Sequence, residues 1–352
     1  MAVFESLAEA LNNPLAVTEL RASTKVASKQ LLKFENLEVL EWKISSPATL
    51  SPEFFTHLRA LPRLHTLRLH GLAERLSGGL FDLKNLRHLE ISGNAWEVPD
   101  RFAELPHLRG LHLWDHSSNQ RGKKPVFPAS VFTLGELHTL QLRLETWAQF
   151  SIEPLANLTQ LRELSLEYPA WQLPDGLYAL PRLERFQLIT PPHFPPDFFR
   201  FTHLKSLKLE WKPLPSGFKE TDLSHFERLP ASLEALELRN NTGENEASVD
   251  LAQGVFSHPQ LQKLFTHRVA DLAALPASAL RDWAHLHELF LSTRGAIDPV
   301  LLSNLFTLRS LQTLTIRSDH GFRLPQPISQ QHFPCLESLS LDGCDLSRPR
   351  KC

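Results

Sequence analysis

The stretch Leu86-Arg87-His88-Leu89-Glu90-Ile91-Ser92-Gly93-Asn94 decides the fold. Its first, fourth and sixth positions are apolar, and most positions between them are polar. Because side chains alternate between the two faces of a strand, this spacing predicts a short strand with one face in a core and one face open. The same phrase begins at thirteen positions, which are Leu37, Leu64, Leu86, Leu108, Leu137, Leu161, Leu183, Leu204, Leu233, Leu261, Leu286, Leu311 and Leu336.

The copies follow one another without a large gap. Successive copies begin 21 to 29 residues apart, and no stretch between them is long enough for a second domain. Val17-Thr18-Glu19-Leu20 fits the phrase loosely and is interpreted as a degenerate repeat before the first regular one. The sequence therefore predicts one array of one degenerate and thirteen regular repeats over residues 15–346, with a tail at 347–352.

A short helical cap is predicted ahead of the array, at residues 1–14. Val3, Phe4, Leu7 and Leu11 stand at helical spacing, and Pro14 disfavours helix at the residue before it. We expect this cap to cover the first repeat.

The phrase resembles the consensus LxxLxLxxN of the leucine-rich-repeat family, and this resemblance covers nearly the whole chain. It implies an α/β solenoid in the form of a curved horseshoe, with a parallel concave sheet of about 13–14 short strands. The opening Ala10-Leu11-Asn12-Asn13-Pro14, followed by Val17-Thr18-Glu19-Leu20, is similar to bacterial intracellular and effector-type members of the family.

The segments that connect the strands are expected to differ along the chain. Proline-rich units such as Val98-Pro99-Asp100 and Leu173-Pro174-Asp175 favour extended or 3₁₀ pieces on the convex side. From Leu233 onward the repeats lengthen, and segments such as Asp298-Pro299-Val300-Leu301 have room for two helical turns. We therefore expect longer convex helices in the C-terminal half.

Two positions of the phrase depart from the family pattern. The closing Asn of the ninth position is present only as Asn94 and Asn241, with Cys344 as the known alternative, so other groups must satisfy most turns. Thr266 occupies an inward position that Leu or Ile fills in almost every other copy, which predicts a weak point in the stack.

Composition limits the compartment and the classes of partner. The net charge of -2 and the pI of about 6.8 give no global attraction to nucleic acid or to an anionic membrane. No signal peptide and no long apolar run is visible, and Cys335, Cys344 and Cys352 all lie near the C-terminus. We expect a monomer that stays in the cytoplasm or, as the resemblance implies, is delivered to a host cell as an effector.

The second positions of the repeats form a candidate basic stripe on the concave sheet. Five successive copies carry a positive or titratable residue there, in the order His65, Arg87, Arg109, His138 and Arg162. Neighbouring columns hold Glu41, Glu90 and Glu163 as counter-charges, so an ordinary solvated face remains the alternative. A contact with a partner is predicted for Arg87, Arg109, His138 and Arg162.

Large aromatic residues at exposed strand positions are the second set of candidates for partner contact. Trp114 stands at a seventh position, and Phe265 and Phe290 stand at adjacent fifth positions. Tyr168 and Trp211 each follow a strand by one place and are placed on the same rim. Aromatic anchors dominate many protein interfaces, although an aromatic residue at a repeat edge can also pack on the next loop. Trp42 occupies an inward position and is predicted to be core.

No catalytic, metal or cofactor motif is recognised, so a non-enzymatic module that binds a protein or peptide on its concave face is predicted. HExxH, CxxC, P-loop, GxGxxG and GxSxG patterns are all missing from the sequence. One alternative is the substrate-recruiting part of a bacterial effector that resembles ubiquitin ligases, whose Cys-x-Asp motif is only approximated by the adjacent Cys344 and Asp345. Nucleic-acid or phosphate binding by the basic stripe is the third hypothesis and is disfavoured by the net charge, so no nucleic acid is expected as a partner.

Overall fold

The computed structural model of the protein divides into two compact units. Unit 1 comprises Met1–Tyr168 and Pro174–Leu183, and unit 2 comprises Pro169–Leu173 and Glu184–Cys352. The structure describes residues 2–5, 7–23, 27–44, 50–73, 75–94, 96–116, 126–144, 151–167, 173–189, 198–211, 229–241, 258, 260–268, 283, 285–293, 297, 299–324, 326 and 328–344.

Unit 1 contains eight described strands. They are β1 (Ala2–Phe4), β2 (Val17–Ser23), β3 (Val39–Lys43), β4 (Thr66–Leu72), β5 (His88–Gly93), β6 (Gly110–Asp115), β7 (Thr139–Arg143) and β8 (Glu163–Glu167). Each strand pairs in parallel with the next one in the chain. Consecutive parallel pairing is the arrangement that a repeat array predicts.

Unit 2 contains seven described strands with the same arrangement. They are β9 (Arg185–Ile189), β10 (Ser206–Trp211), β11 (Ala235–Asn240), β12 (Lys263–His267), β13 (Glu288–Thr293), β14 (Thr313–Phe322) and β15 (Ser338–Cys344). These strands also pair in parallel and in chain order.

The register of the strands places equivalent phrase positions side by side. On β5 and β6, for example, Leu89 is opposite Leu111 and Ile91 is opposite Leu113. All four side chains are no more than 2 % exposed. The predicted inward positions are therefore confirmed, and the protein has the α/β leucine-rich-repeat fold.

Short helical segments connect the strands. Within the described residues the α-helices are α1 (Leu7–Ala10), α2 (Pro52–Arg59), α3 (Asp175–Tyr178) and α4 (Pro299–Leu305). The 3₁₀ segments are Pro14–Ala16, Ser28–Lys33, Gly78–Asp82, Phe102–Glu104, Ala129–Thr133, Glu153–Asn157 and Phe198–Arg200. The 3₁₀ segment Phe102–Glu104 confirms the prediction for the unit Val98-Pro99-Asp100, whereas Leu173-Pro174-Asp175 leads into the short α-helix α3. No helix in the described residues has the length and apolar character that a membrane crossing requires.

The longest described α-helix lies in the N-terminal half, but most connecting segments after residue 241 lie outside the described residues, so longer helices there stay a prediction. Helix α2 has 8 residues, whereas α4 has 7. Ser51 caps α2, because its side chain accepts a hydrogen bond from the Phe54 N–H at 3.3 Å, and Pro52 stands in the first turn. Phe54 packs against Trp42 with ring centroids 5.0 Å apart. Trp42 is 2 % exposed, which confirms it as core.

The N-terminal cap contains less helix than predicted. Residues Ala2–Phe4 form β1, which pairs with β2, and the helix is restricted to Leu7–Ala10. The added strand satisfies backbone groups of β2 and makes β1 the edge of the sheet. The interpretation of Val3 and Phe4 as part of a helix was therefore wrong.

Several polar residues at the eighth position of the repeats are buried, whereas the two asparagines of the ninth position are not. Asp115, Asn240, Thr293 and Ser318 all stand at the eighth position and are 7 %, 2 %, 3 % and 5 % exposed, respectively. By contrast, Asn94 and Asn241 of the ninth position are exposed. Strand alternation explains the difference, because the eighth side chain points the same way as the fourth and the sixth.

Thr266, the predicted weak point, is fully buried on β12. Its exposure is 0 %, and its hydroxyl donates a hydrogen bond to the Phe290 carbonyl on β13 at 3.3 Å. The buried hydroxyl thus has a partner, which reduces the cost of placing Thr in an apolar position.

We predict that Leu164→Ala destabilises the protein by about 2–5 kcal/mol, because it removes a core side chain from the middle of the stack. Leu164 lies on β8 and is 2 % exposed. The measurement is urea unfolding followed by circular dichroism. Arg162→Ala is the control, since Arg162 is exposed, and it should change stability by less than about 0.5 kcal/mol. Equal effects of the two substitutions would contradict the assigned register.

Candidate functional site

The candidate site is the open face of the strands, which carries the third, fifth and seventh positions of each repeat. On β5 these positions hold His88, Glu90 and Ser92, of which Ser92 is only 5 % exposed, whereas Leu89 and Ile91 point into the core. Because the strands are parallel and in register, the side chain of each position has the same position of the next repeat as its neighbour, about 4.8 Å away. The open face is described separately for each unit.

In unit 1 the fifth positions form a ladder of alternating charge. The ladder runs Arg21, Glu41, Arg68, Glu90 and His112 on successive strands. Arg21 Nε lies 3.4 Å from Glu41 Oε2, Arg68 Nε lies 3.8 Å from Glu90 Oε2, and His112 Nδ1 lies 3.9 Å from Glu90 Oε2. Opposite charges on adjacent strands stabilise the pairing and hold the long side chains in place.

Glu90 is the centre of this ladder. A hydrogen bond from His112 lowers the pKa of the Glu90 carboxyl, and the charges of His70, His112 and Arg68 act in the same direction, while burial opposes them. His70 lies between two carboxylates, with Nε2 3.9 Å from Glu41 and Nδ1 3.9 Å from Glu90. The arrangement keeps Glu90 ionised and fixed in orientation.

His88 lies beside the ladder, over a glycine on the next strand. A Cβ atom at Gly110 would meet His88 Nδ1 at 2.5 Å, so the missing side chain makes room for the ring. Burial lowers the pKa of His88, and the positive groups His65, His112, Arg68 and Arg109 lower it further.

Trp114, a predicted contact residue, lies between two cationic or titratable side chains. Its ring is stacked on His112 with centroids 6.1 Å apart, and the Arg143 guanidinium lies 5.2 Å from its ring centroid. Trp114 is partly exposed. These contacts fix the orientation of an aromatic surface without removing it from solvent.

In unit 2 the corresponding feature is the pair Phe265 and Phe290. The two residues are opposite each other on β12 and β13, and their rings stack with centroids 4.1 Å apart and planes at 10°. Both side chains are partly exposed. The Arg239 guanidinium lies 4.6 Å from the Phe265 ring centroid and also forms an ion pair with Glu237. We call these three side chains the aromatic pair and its arginine.

Further cationic groups lie next to the aromatic pair. Burial lowers the pKa of His267, and the charges of Arg268, Arg239 and Arg317 lower it further, while Asp319 opposes them. Arg317 Nε lies 3.3 Å from Asp342 Oδ2. The aromatic surface of unit 2 is therefore bordered by positive groups.

The second-position residues lie at the edge of the sheet where the strands begin. The N–H of Arg87 donates to the His65 carbonyl, the N–H of Arg109 donates to the Arg87 carbonyl, and both distances are 2.7 Å. The same backbone ladder continues from Arg109 to His138 and then to Arg162, at 2.8 Å for each bond. The predicted stripe is thus contiguous along the backbone.

Only part of the stripe lines a cleft. His65, Arg87 and Arg109 line a cleft of about 610 Å³ together with Glu38 and Glu136. His138 and Arg162 are not among its lining residues. The side chain of His138 instead bonds through Nδ1 to the Glu136 carbonyl oxygen at 2.6 Å.

Two of the aromatic residues predicted to contact a partner, Trp211 and Tyr168, are not found on the described open face. Trp211 is only 3 % exposed, so its prediction as an exposed rim residue was wrong. It stands at an eighth position, which strand alternation turns toward the core. Tyr168, also at an eighth position, lies outside the described residues.

Sequence reasoning missed the charge ladder of unit 1 and the role of Arg239. The signal was present, because the fifth positions read Arg21, Glu41, Arg68 and Glu90 in order. The association of Arg239 with Phe265 had no such signal, since it joins a seventh position to a fifth position on the next strand. Within the described residues, no three His, Cys, Asp or Glu side chains are grouped as a metal site would need.

Comparisons with known proteins support the fold. No protein-family model matches the chain, and no curated protein does. Among solved structures, an internalin of Listeria monocytogenes is 21 % identical with a TM-score of 0.55, over 96 % of this chain and 89 % of that one. A leucine-rich-repeat protein of Leptospira interrogans is 20 % identical with a TM-score of 0.57, over 98 % and 88 %.

A third solved structure is the Toll–Spatzle complex of Drosophila. It is 17 % identical with a TM-score of 0.59, over 97 % of this chain and 50 % of that chain. At these identities the three similarities establish a shared leucine-rich-repeat fold.

We predict that acidification destabilises the protein and that His88→Gln reduces this effect. The pKa of His88 in the folded protein is below its ordinary value of 6.5, so the unfolded chain takes up the proton first. Stability is therefore retained above about pH 6.5 and falls as the pH decreases from there. The measurement is urea unfolding between about pH 8 and pH 5.5.

The free energy of unfolding should decrease less on acidification in His88→Gln than in the wild-type protein. This difference should be largest at the acidic end of the series. The comparison at about pH 8, where His88 is neutral in both states, gives the effect of the substitution itself. A variant that loses as much stability on acidification as the wild-type protein would contradict the prediction. The carboxyl of Glu90, whose folded pKa is lowered, adds a further loss below its ordinary value of 4.5.

Proposed function

We propose that the protein is an interaction module that recognises a protein or peptide partner on the open face of its strands. The observation that carries the proposal is the stacked, partly exposed pair Phe265 and Phe290 on adjacent strands of unit 2. Aromatic side chains of this kind supply most of the binding energy in many interfaces. A polar repeat surface has no packing reason to keep two large rings in contact with solvent.

The aromatic pair is suited to binding because it is already ordered. The strand register fixes Phe265 opposite Phe290, and the Arg239 guanidinium covers part of the Phe265 ring. Binding of a partner to these rings therefore costs little additional conformational entropy, because the rings are already ordered. The neighbouring cation Arg268 would favour a partner segment with an acidic side chain near its apolar contact.

The open face of unit 1 supports the same kind of recognition by other means. Trp114 offers a second ordered aromatic surface between His112 and Arg143. The charge ladder around Glu90 presents donors and acceptors at fixed positions. Such a pattern contributes to specificity, because a partner with the wrong charge at one position meets a like charge.

The comparison structures support a binding role at the level of the fold. Toll is in complex with Spatzle in one of them, so this fold carries a protein ligand there. The similarity is an analogy between folds, and the proposal for this chain depends on its own side chains.

We further propose that the protein works in a reducing compartment, as a cytoplasmic protein or as an effector of the bacterial type. Cys335 is an exposed free thiol. Exposed free thiols are more common in proteins that remain in reducing compartments. The two bacterial proteins with the same fold are consistent with a bacterial source.

The test of the binding proposal is to substitute the aromatic pair. The full chain is used to capture proteins from the organism that encodes it, and each captured protein is then purified and titrated against the chain by calorimetry. We expect the double variant Phe265→Ala with Phe290→Ala to bind the partner at least about tenfold more weakly, since loss of an aromatic anchor costs roughly 2 kcal/mol or more.

Phe199→Ala is the matched control. Phe199 is 41 % exposed and lies on a 3₁₀ segment instead of a strand, so its substitution should leave the affinity unchanged. A partner that binds the double variant as tightly as the wild-type protein would overturn the assignment of this surface. Circular dichroism of each variant excludes unfolding as the cause of a loss.

A further inference from the structure

The cleft at the edge where the strands of unit 1 begin is separate from the open face. It has a volume of about 610 Å³ and includes second-position residues of three successive repeats, His65, Arg87 and Arg109. Arg63 and Asn85, from the segments that precede two of these strands, also line it. Because consecutive repeats are joined here by backbone hydrogen bonds, the side chains stand in a fixed order along the cleft.

The cleft contains more groups that donate hydrogen bonds than groups that accept them. Three guanidinium groups, Arg63, Arg87 and Arg109, line it together with the Asn85 amide. Each guanidinium carries five N–H donors and a permanent positive charge. The lining also contains two carboxylates, Glu38 and Glu136.

Both carboxylates already have partners within or beside the cleft. Glu38 Oε2 lies 3.9 Å from His65 Nε2. Glu136 lies 3.6 Å from Arg109 Nε and 3.8 Å from His107 Nδ1. The acceptors in the cleft are thus engaged at its ends, by His65 on one side and by Arg109 and His107 on the other.

Arg63 and Arg87 remain without a negative partner. Across the parts of the chain that the structure describes, neither side chain forms an ion pair or a hydrogen bond, and both are exposed. Asn85 is likewise exposed, and its amide has no hydrogen-bond partner in the same described parts. Three donor groups therefore line one cleft with no partner among the described protein groups.

The charge of the cleft also acts on a neighbouring side chain. The pKa of His88, which follows Arg87 directly, is lowered first by burial and then by nearby groups that include His65 and Arg109 of the cleft.

We propose that this cleft binds a phosphate group, either as the free ion or as a monoester, with Arg63 and Arg87 as direct ligands and Asn85 as a further donor. A guanidinium group binds a phosphate through two parallel N–H···O bonds. Two unpaired guanidinium groups also balance the charge of a phosphate, which is about −1.5 to −2 near neutral pH, better than that of a single carboxylate. Arg109 lies beside them and is shared with Glu136.

The site differs from the proposed partner surface in location and in chemistry. It uses side chains at the second position and before it, whereas the aromatic contacts are at fifth and seventh positions. A failure to bind phosphate would therefore leave the proposal about Phe265 and Phe290 unaffected. A failure of that proposal would likewise leave the phosphate site unaffected.

The test is a titration of the full chain with inorganic phosphate and, separately, with O-phosphoserine. Binding is followed by calorimetry and by the rise in Tm at constant ionic strength. We expect saturable binding to the wild-type protein and at least tenfold weaker binding to Arg87→Gln and to Arg63→Gln. Arg162→Gln is the matched control, because it removes the same charge from the same row outside the cleft, and its affinity should be unchanged.

Each result has a definite meaning. Stronger binding of phosphoserine than of phosphate would assign the site to a monoester, stronger binding of phosphate would assign it to the free ion, and equal binding would show that only the phosphate group is recognised. The proposal is overturned if the wild-type protein binds neither compound, if Arg162→Gln weakens binding as much as Arg87→Gln, or if succinate binds as well as phosphate. Because Arg63, Arg87 and Arg162 are all exposed, the three variants should fold, and circular dichroism verifies this.

Discussion

Burial of the same strand positions in every repeat is the interaction on which this structure depends. A single strand with Leu89 and Ile91 on one face has no core of its own, and it obtains one only from the strands on either side. Each repeat buries too little apolar surface to offset the conformational entropy that it loses on folding. Stability therefore comes from stacking, and the stacking fixes the parallel register.

That register controls the chemistry of the other face. Neighbouring repeats place equivalent side chains about 4.8 Å apart, so each side chain must be compatible with the same position one repeat earlier and later. In unit 1 this requirement is met by alternating charge, as in Arg68 beside Glu90. In unit 2 it is met by stacking of Phe265 on Phe290. Both solutions produce ordered surface groups, which is what a binding face needs.

The edge of unit 1 shows how one column of residues can differ in function along its length. His65, Arg87, Arg109, His138 and Arg162 follow one another along a continuous backbone ladder. Their environments are nonetheless different, because Arg109 is held by Glu136 whereas Arg87 has no negative partner in the described residues. The presence of a positive side chain does not by itself identify an anion-binding site in such a column. A site is indicated where a positive side chain has no carboxylate partner.

The sequence by itself determined the repeats, their parallel stacking and the inward positions, because a side chain that recurs with a fixed spacing must occupy the same buried place in each repeat. It also identified Trp42 as core and Phe265 and Phe290 as neighbours. Only the tertiary structure decided that Trp211 is buried, that residues 2–4 form a strand, and that Arg63, Asn85 and Arg87 share a cleft. These outcomes depend on contacts between segments that are distant in sequence or irregular in length, and such contacts have no period that a sequence pattern can show.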